Sequence, residues 1–233
     1  MSADASDVVG YVFAGLVGFS LAAACGMRIF APLAILSAAV HFGWISPGDK
    51  LSWIGSTPAL VCFSLACVIE ALGMMVPWVD HALDVAGAPV AAVAGTLVMA
   101  TQLASAAGVD TSAVPAWVTW ALAAVVGGGV ATGVHAATGT MRAGSTAVSG
   151  GLLNPFFSLA ETVSSFVLSA LAVVLPIVAV IIAFVIVVSL FVVAALVWQW
   201  RKRAAGRAQT QTDSAAGSVG AARGEVRGAA SGG

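Results

Sequence analysis

Residues 156–200 read FFSLAETVSSFVLSALAVVLPIVAVIIAFVIVVSLFVVAALVWQW, a run in which Glu161 is the only ionisable side chain. A helix crosses a bilayer in about 20 apolar residues, so this run is about twice one crossing. Pro176 stands near its middle. Proline removes a backbone donor and clashes with the preceding turn, so the run divides into two helices there. Its end carries Trp198-Gln199-Trp200 and then Arg201-Lys202-Arg203. Tryptophan favours the membrane interface and basic clusters favour the cytoplasmic side. The C-terminus is therefore expected in the cytoplasm. Residues 201–233 are rich in Ala, Gly, Ser, Gln and Thr and have little to bury, which predicts a disordered cytoplasmic tail behind a transmembrane domain over 1–200.

Working back towards the N-terminus, Val8–Met27, Thr57–Pro77, Ala82–Ala107 and Val114–Thr138 each have the length and apolarity of a span. Ile29–Ile45 is shorter and contains Pro32 and His41. It either crosses, giving seven helices with the N-terminus outside, or dips in and returns, giving six with both ends inside. Arg28 would be cytoplasmic only in the seven-helix arrangement, which the positive-inside rule favours. Turn chemistry falls between the spans, as in Ser46-Pro47-Gly48-Asp49-Lys50. Met1–Asp7 has two acids and no Lys or Arg, unlike the basic start of a secretory signal, so the first helix is expected to remain as an anchor. The fold class is an all-α polytopic membrane bundle of six or seven helices, with one or two short broken or re-entrant segments.

Composition agrees. The chain is 60% hydrophobic and 8% charged, against about 25% charged in soluble domains. That places it in a membrane, the cell's inner (plasma) membrane being the expected one, with lipid as its first partner. A net charge of −1 gives no reason to expect nucleic-acid binding. Cys25, Cys62 and Cys67 lack Cys-x-x-Cys spacing and read as small apolar residues rather than a disulfide or zinc set. No cofactor or metal is expected. Asp80-His81-Ala82-Leu83-Asp84 reads as an N-cap at Asp80 followed by an acidic first turn.

The candidate site comes from polar groups at membrane depth. Charges there are costly and face a protein interior or a watery cavity. Glu70 is the only ionisable group in Thr57–Pro77, as Glu161 is in its own run. Counted from the cytoplasmic ends of their helices, Glu70, Glu161 and His135 all lie about 9–10 Å deep at 1.5 Å per residue, with Arg142 near the inner boundary. Gly139–Pro155 is polar and glycine-rich, which predicts irregular backbone sheltered by protein or water. Within it, Arg142 with Ser145, Thr146 and Ser149 could cradle an anion, or Arg142 could contact lipid headgroups. Asn154, just before Pro155 and Glu161, completes the candidate substrate or ion pathway. Small residues at spacing four, Ala14-Gly18-Ala22-Gly26 and Gly129-Gly133-Ala137, predict close helix packing. Gly26-Met27-Arg28 and Gly139-Thr140-Met141-Arg142, together with Ser64-Leu65-Ala66 before Glu70 and Ser158-Leu159-Ala160 before Glu161, echo an internal repeat. In a chain this rich in alanine, chance produces similar echoes.

Four blocks occur in order: Ala22–Leu33 (AAACGMRIFAPL), Ser56–Leu60 (STPAL), Val79–Asp84 (VDHALD) and Asn154–Glu161 (NPFFSLAE). Together they resemble a bacterial membrane family catalogued as a domain of unknown function, numbered four-one-two-six. The resemblance covers about Gly15–Leu175. Thr162 stands where members usually have Asp. The resemblance implies a membrane protein and no particular activity.

Three functions fit these residues. A transporter or channel-like protein would move a small or anionic solute, a proton or a lipid headgroup through the carboxylates. A structural or assembly component would use the same glutamates only as helix contacts. An intramembrane hydrolase would need Ala147-Val148-Ser149-Gly150 as nucleophile motif and His135 as base. That motif lacks the first glycine of the Gly-x-Ser-Gly pattern, and no enzymatic activity is expected. The first reading is preferred.

Overall fold

The computed structural model describes residues 5–73, 77–106, 115–150, 152–200 and 202–203; for residues 5–7, 77–85 and 154 it describes the backbone alone. Among these residues every regular element is helical and none is a strand. α1 is Ala5–Met27, α2 Phe30–His41, a 3-10 segment Asp49–Gly55, α3 Thr57–Gly73 and α4 Pro77–Ala104. α5 (Ala116–Leu122) passes through a π-helical turn (Ala123–Gly128) into α6 (Gly129–Ser149), and α7 is Asn154–Val174. α8 is Pro176–Trp200. Five helical stretches are long and apolar enough to cross a membrane: Val8–Met27, Ala86–Ala104, Ala116–Ser149, Pro155–Val174 and Pro176–Trp200. The 3-10 segment and α3 supply a sixth if their 56° bend is taken as one broken span.

One compact unit extends to Val193. Its core is α1, enclosed by α4, α6 and α7, and glycine sets the approach of these helices. A Cβ on Gly26 would lie 2.6 Å from the Ala131 carbonyl of α6, and one on Gly18 would lie 3.3 Å from the Met99 Cα of α4. Across the α4–π-turn contact, a Cβ on either Gly95 or Gly127 would collide with the other's carbonyl oxygen. Close approach of this kind is how helices associate in lipid, where apolar burial supplies little drive. Gly18 and Gly26 thus act as their spacing predicts. Gly129 differs, because it faces open space and Gly127 takes the contact. The π turn rotates the helix there, moving the contact off the periodicity read from sequence.

α2 is the short element, 12 residues, about 18 Å long. It does not dip and return to the side it left. A Cβ on Gly48, a few residues beyond α2, would lie 3.7 Å from the Ala104 carbonyl at the end of α4, and Gly48 borders a hollow that also includes Tyr11 of α1. α2 therefore leads back to the face where α1 starts, and α3 runs away from that face again. Its Glu70 meets the residues that open α2. The direction of α2 is the one the seven-helix arrangement requires, although at 12 residues α2 is shorter than the five long apolar helices.

Two boundaries differ from the sequence reading. α6 continues to Ser149, through the segment expected to be irregular, and ends at Gly150 in the left-handed conformation (φ 63°). The polar residues do not break it because their hydroxyls bond their own helix: Thr140 donates to Ala136 O, Thr146 to Arg142 O and Ser149 to Ser145 O. Arg142 and Gly144 are buried against neighbours. α4 starts at Pro77, so Asp80 lies inside the helix and is not its N-cap. The side chains of Asp80, His81 and Asp84 lie outside the described residues, as does residue 204 onward, where most of the tail was expected. In the second unit, Ala194–Gly233, the Lys202 ammonium sits 3.7 Å over the Trp198 ring, a cation–π contact.

Candidate functional site

The chain stops being helical between α1 and α2, at Arg28 and Ile29. This break lies inside the bundle. Arg142 and Glu161, which both meet its Arg28 side, are each seven residues from the ends of α6 and α7, about 10 Å inwards. A break at that depth exposes backbone donors that water cannot reach, so protein must satisfy them. Glu70 of α3 does so. Its Oε1 accepts the Ile29 N–H at 2.9 Å and its Oε2 the Phe30 N–H at 3.0 Å. A carboxylate at the N-terminus of α2 also meets the positive end of that helix dipole. Glu70 is thus a cap supplied from another helix.

On the other side of the break, the Arg28 guanidinium is 2% exposed. Its Nη2 donates to the carbonyl and the hydroxyl of Ser158 at 2.7 and 2.8 Å. The same nitrogen is 3.4 Å from Glu161 Oε2. Arg142 Nε is 3.6 Å from Glu161 Oε1. One carboxylate of α7 is therefore shared by two buried arginines, one at the end of α1 and one from α6. With Glu70 the four charges sum to zero, the condition under which buried charge is tolerated. α1 and α7 are further joined where Ser165 Oγ donates to the Ala24 carbonyl at 3.0 Å. A cavity of about 10 Å³ beside the break is lined by Arg28, Cys67, Glu70, Thr162 and Phe166 among others. It has room for about one water molecule.

The structure brings Glu161 and Arg142 together and sets Glu70 on the opposite side of the same break. The small cavity borders Glu70 and not Glu161. His135 lies two turns up α6 from Arg142, its ring against Gly87 of α4, where a Cβ would come within 2.6 Å of Nε2. Thr146 and Ser149 use their hydroxyls on the α6 backbone, and the buried Ser145 hydroxyl has no hydrogen-bond partner among the described residues. These three residues are not a loop cradle. Asn154 opens α7; its side chain lies outside the described residues. Ser149 and His135 sit on one helix 14 residues apart, about 21 Å along its axis, so they cannot form a nucleophile–base pair.

Two site residues were not among the sequence candidates. Arg28 enters the sequence reading through topology, the repeat and the family block, not as a site residue. Its signal was an isolated cation directly after an apolar span, inside the AAACGMRIFAPL block. Ser158 carries only the Ser-Leu-Ala echo and its place one turn before Glu161. No curated protein and no solved structure matches the chain. A family match extends over residues 16–196, which includes the break and every charge around it. The chain belongs to the family described as Domain of unknown function (DUF4126).

Proposed function

We propose that this integral membrane protein is a carrier for a small anion, coupled to a proton, with Arg28, Arg142 and Glu161 as its binding centre. The observation that carries the reading is the α1–α2 break inside the bundle with two arginines sharing one carboxylate next to it. Secondary transporters place their sites where helices are discontinuous near membrane depth, and buried ionisable groups at that depth mark pathways. Glu161 acts as a resident counter-anion. When it takes a proton, its charge no longer holds the two guanidinium groups, and a carboxylate or phosphate from solution replaces it. Loss of the proton expels the anion again. The Glu70 cap keeps α2 anchored throughout. The protein sits in the plasma membrane with its C-terminus in the cytoplasm and catalyses no covalent chemistry.

The competing reading is a structural component. The cavity of about 10 Å³ and the satisfied Glu70 favour it, because that cavity takes nothing larger than water. The two separate in proteoliposomes. A panel of small carboxylates and inorganic phosphate, applied with an inward proton gradient on a solid-supported membrane, is expected to give a current in the wild type that Glu161→Gln abolishes. Silence across the panel, with a Glu161→Gln protein that still supports whatever the cell requires of the chain, would establish the structural reading.

A further inference from the structure

A second place in the bundle has the shape and chemistry of a ligand site, at the face where α1 begins and away from the charged break. A hollow of about 300 Å³ lies between the start of α1, the 3-10 segment, the end of α4 and α5. Tyr11, Asp49, Lys50, Thr119 and Trp120 supply its polar groups, and Asp49 and Lys50 are its charges among the described residues. Next to it, an apolar groove of about 1000 Å³ runs between α4 and the π turn with α6. Its floor is small: Ala92, Ala124, Gly128, Gly129 and Gly133. Trp120 borders both spaces, so hollow and groove adjoin.

We propose that these adjoining spaces bind one phospholipid with an amine headgroup, phosphatidylethanolamine, its headgroup in the hollow and one acyl chain in the groove. Lys50 meets the phosphate and Asp49 the ammonium, which a choline headgroup cannot match with N–H donors. An anionic glycerol headgroup would meet the Asp49 charge unfavourably. Trp53 and Trp120 stand at the groove mouth, where indole rings favour the headgroup level. From Trp120 to Gly133 the groove follows 13 residues of helix, about 20 Å. One leaflet of hydrocarbon is about 15 Å deep, so the groove accepts a chain over its leaflet's full depth. At Gly129, where nothing lies within 4 Å of a Cβ, the chain is recessed below the surface that an ordinary side chain would present, and the Phe191 ring stands against Gly133 at the far end. This site is independent of the carrier reading.

The test is native mass spectrometry of protein extracted in mild detergent from membranes holding both phosphatidylethanolamine and phosphatidylglycerol. Wild type is expected to retain one phosphatidylethanolamine. Nothing lies within 4 Å of a Cβ on Gly129, so Gly129→Leu fills the groove without a clash and should lose the lipid. Lys50 is exposed, and Lys50→Glu should retain about fivefold less or lower, one surface basic residue's contribution to anionic attraction. Asp49→Lys should shift retention towards phosphatidylglycerol. Both variants and Gly129→Leu must unfold at the wild-type temperature to count. Equal retention of the two lipids by wild type would overturn the proposal. So would Gly129→Leu protein that holds lipid as wild type does, or displacement by chain-free glycerophosphoethanolamine.

Discussion

At the scale of single residues, Glu161 has the largest consequence. Two buried guanidinium groups depend on its charge, and removing one partner of a buried pair costs about 3–5 kcal/mol. Glu161→Ala should therefore destabilise the bundle by that order in detergent unfolding. Adding Arg142→Leu should recover part of the loss, because one uncompensated cation disappears with it. If the double variant is no more stable than the single, the arginines do not share the carboxylate. Glu70 makes a different prediction. Both its oxygens accept backbone N–H groups, whereas a glutamine offers one acceptor oxygen and turns an NH2 towards the other donor. Glu70→Gln should cost about 1–3 kcal/mol, the penalty of one unmet buried donor, measured by the same unfolding. Glu70 was legible as a lone acid in an apolar span. Its partners were not, because the donors are main-chain groups of residues 40 and 41 positions away, which no spacing reveals.

Among the elements, the π turn decides which glycines matter. Gly127 faces the backbone of α4 at Gly95, while Gly129, two residues on, faces open space. Gly127→Ala should separate α4 from α6 and lower the unfolding temperature clearly. Gly129→Ala should be neutral or stabilising, since alanine costs a helix less than glycine by about 1 kcal/mol. Equal effects at the two positions would mean the helix is wound regularly there. A sequence reading at 3.6 residues per turn places Gly129 and Gly133 on one packing face. It fails by the rotation that one wide turn introduces. The same reading failed at 139–149 for another reason: hydroxyls that looked like loop chemistry bond back to their own helix.

For the whole molecule, the testable property is the alternation of passes. Ser52 in the 3-10 segment and Leu152 between α6 and α7 are both exposed and lie at opposite faces of the unit. With Cys62 and Cys67 replaced, an impermeant thiol reagent on intact cells should label Ser52→Cys and leave Leu152→Cys unlabelled until the membrane is opened. Labelling of both from outside would contradict the course of α2. The reverse pattern would keep the alternation and invert the proposed orientation.

Sequence by itself determined that this is a helical membrane protein, the Pro176 division between α7 and α8, and the acids whose burial requires a partner. Those follow from local quantities: apolar length against bilayer thickness, a missing backbone donor, and the cost of charge in hydrocarbon. The tertiary structure alone decided where α2 goes, that Glu70 caps it, and that Arg28 joins Arg142 on Glu161. Each of these is a contact between segments far apart in the chain. An isolated charge shows that a counter-charge is needed, but which helix supplies it depends on how closely the glycines of α1, α4 and α6 let the backbones approach.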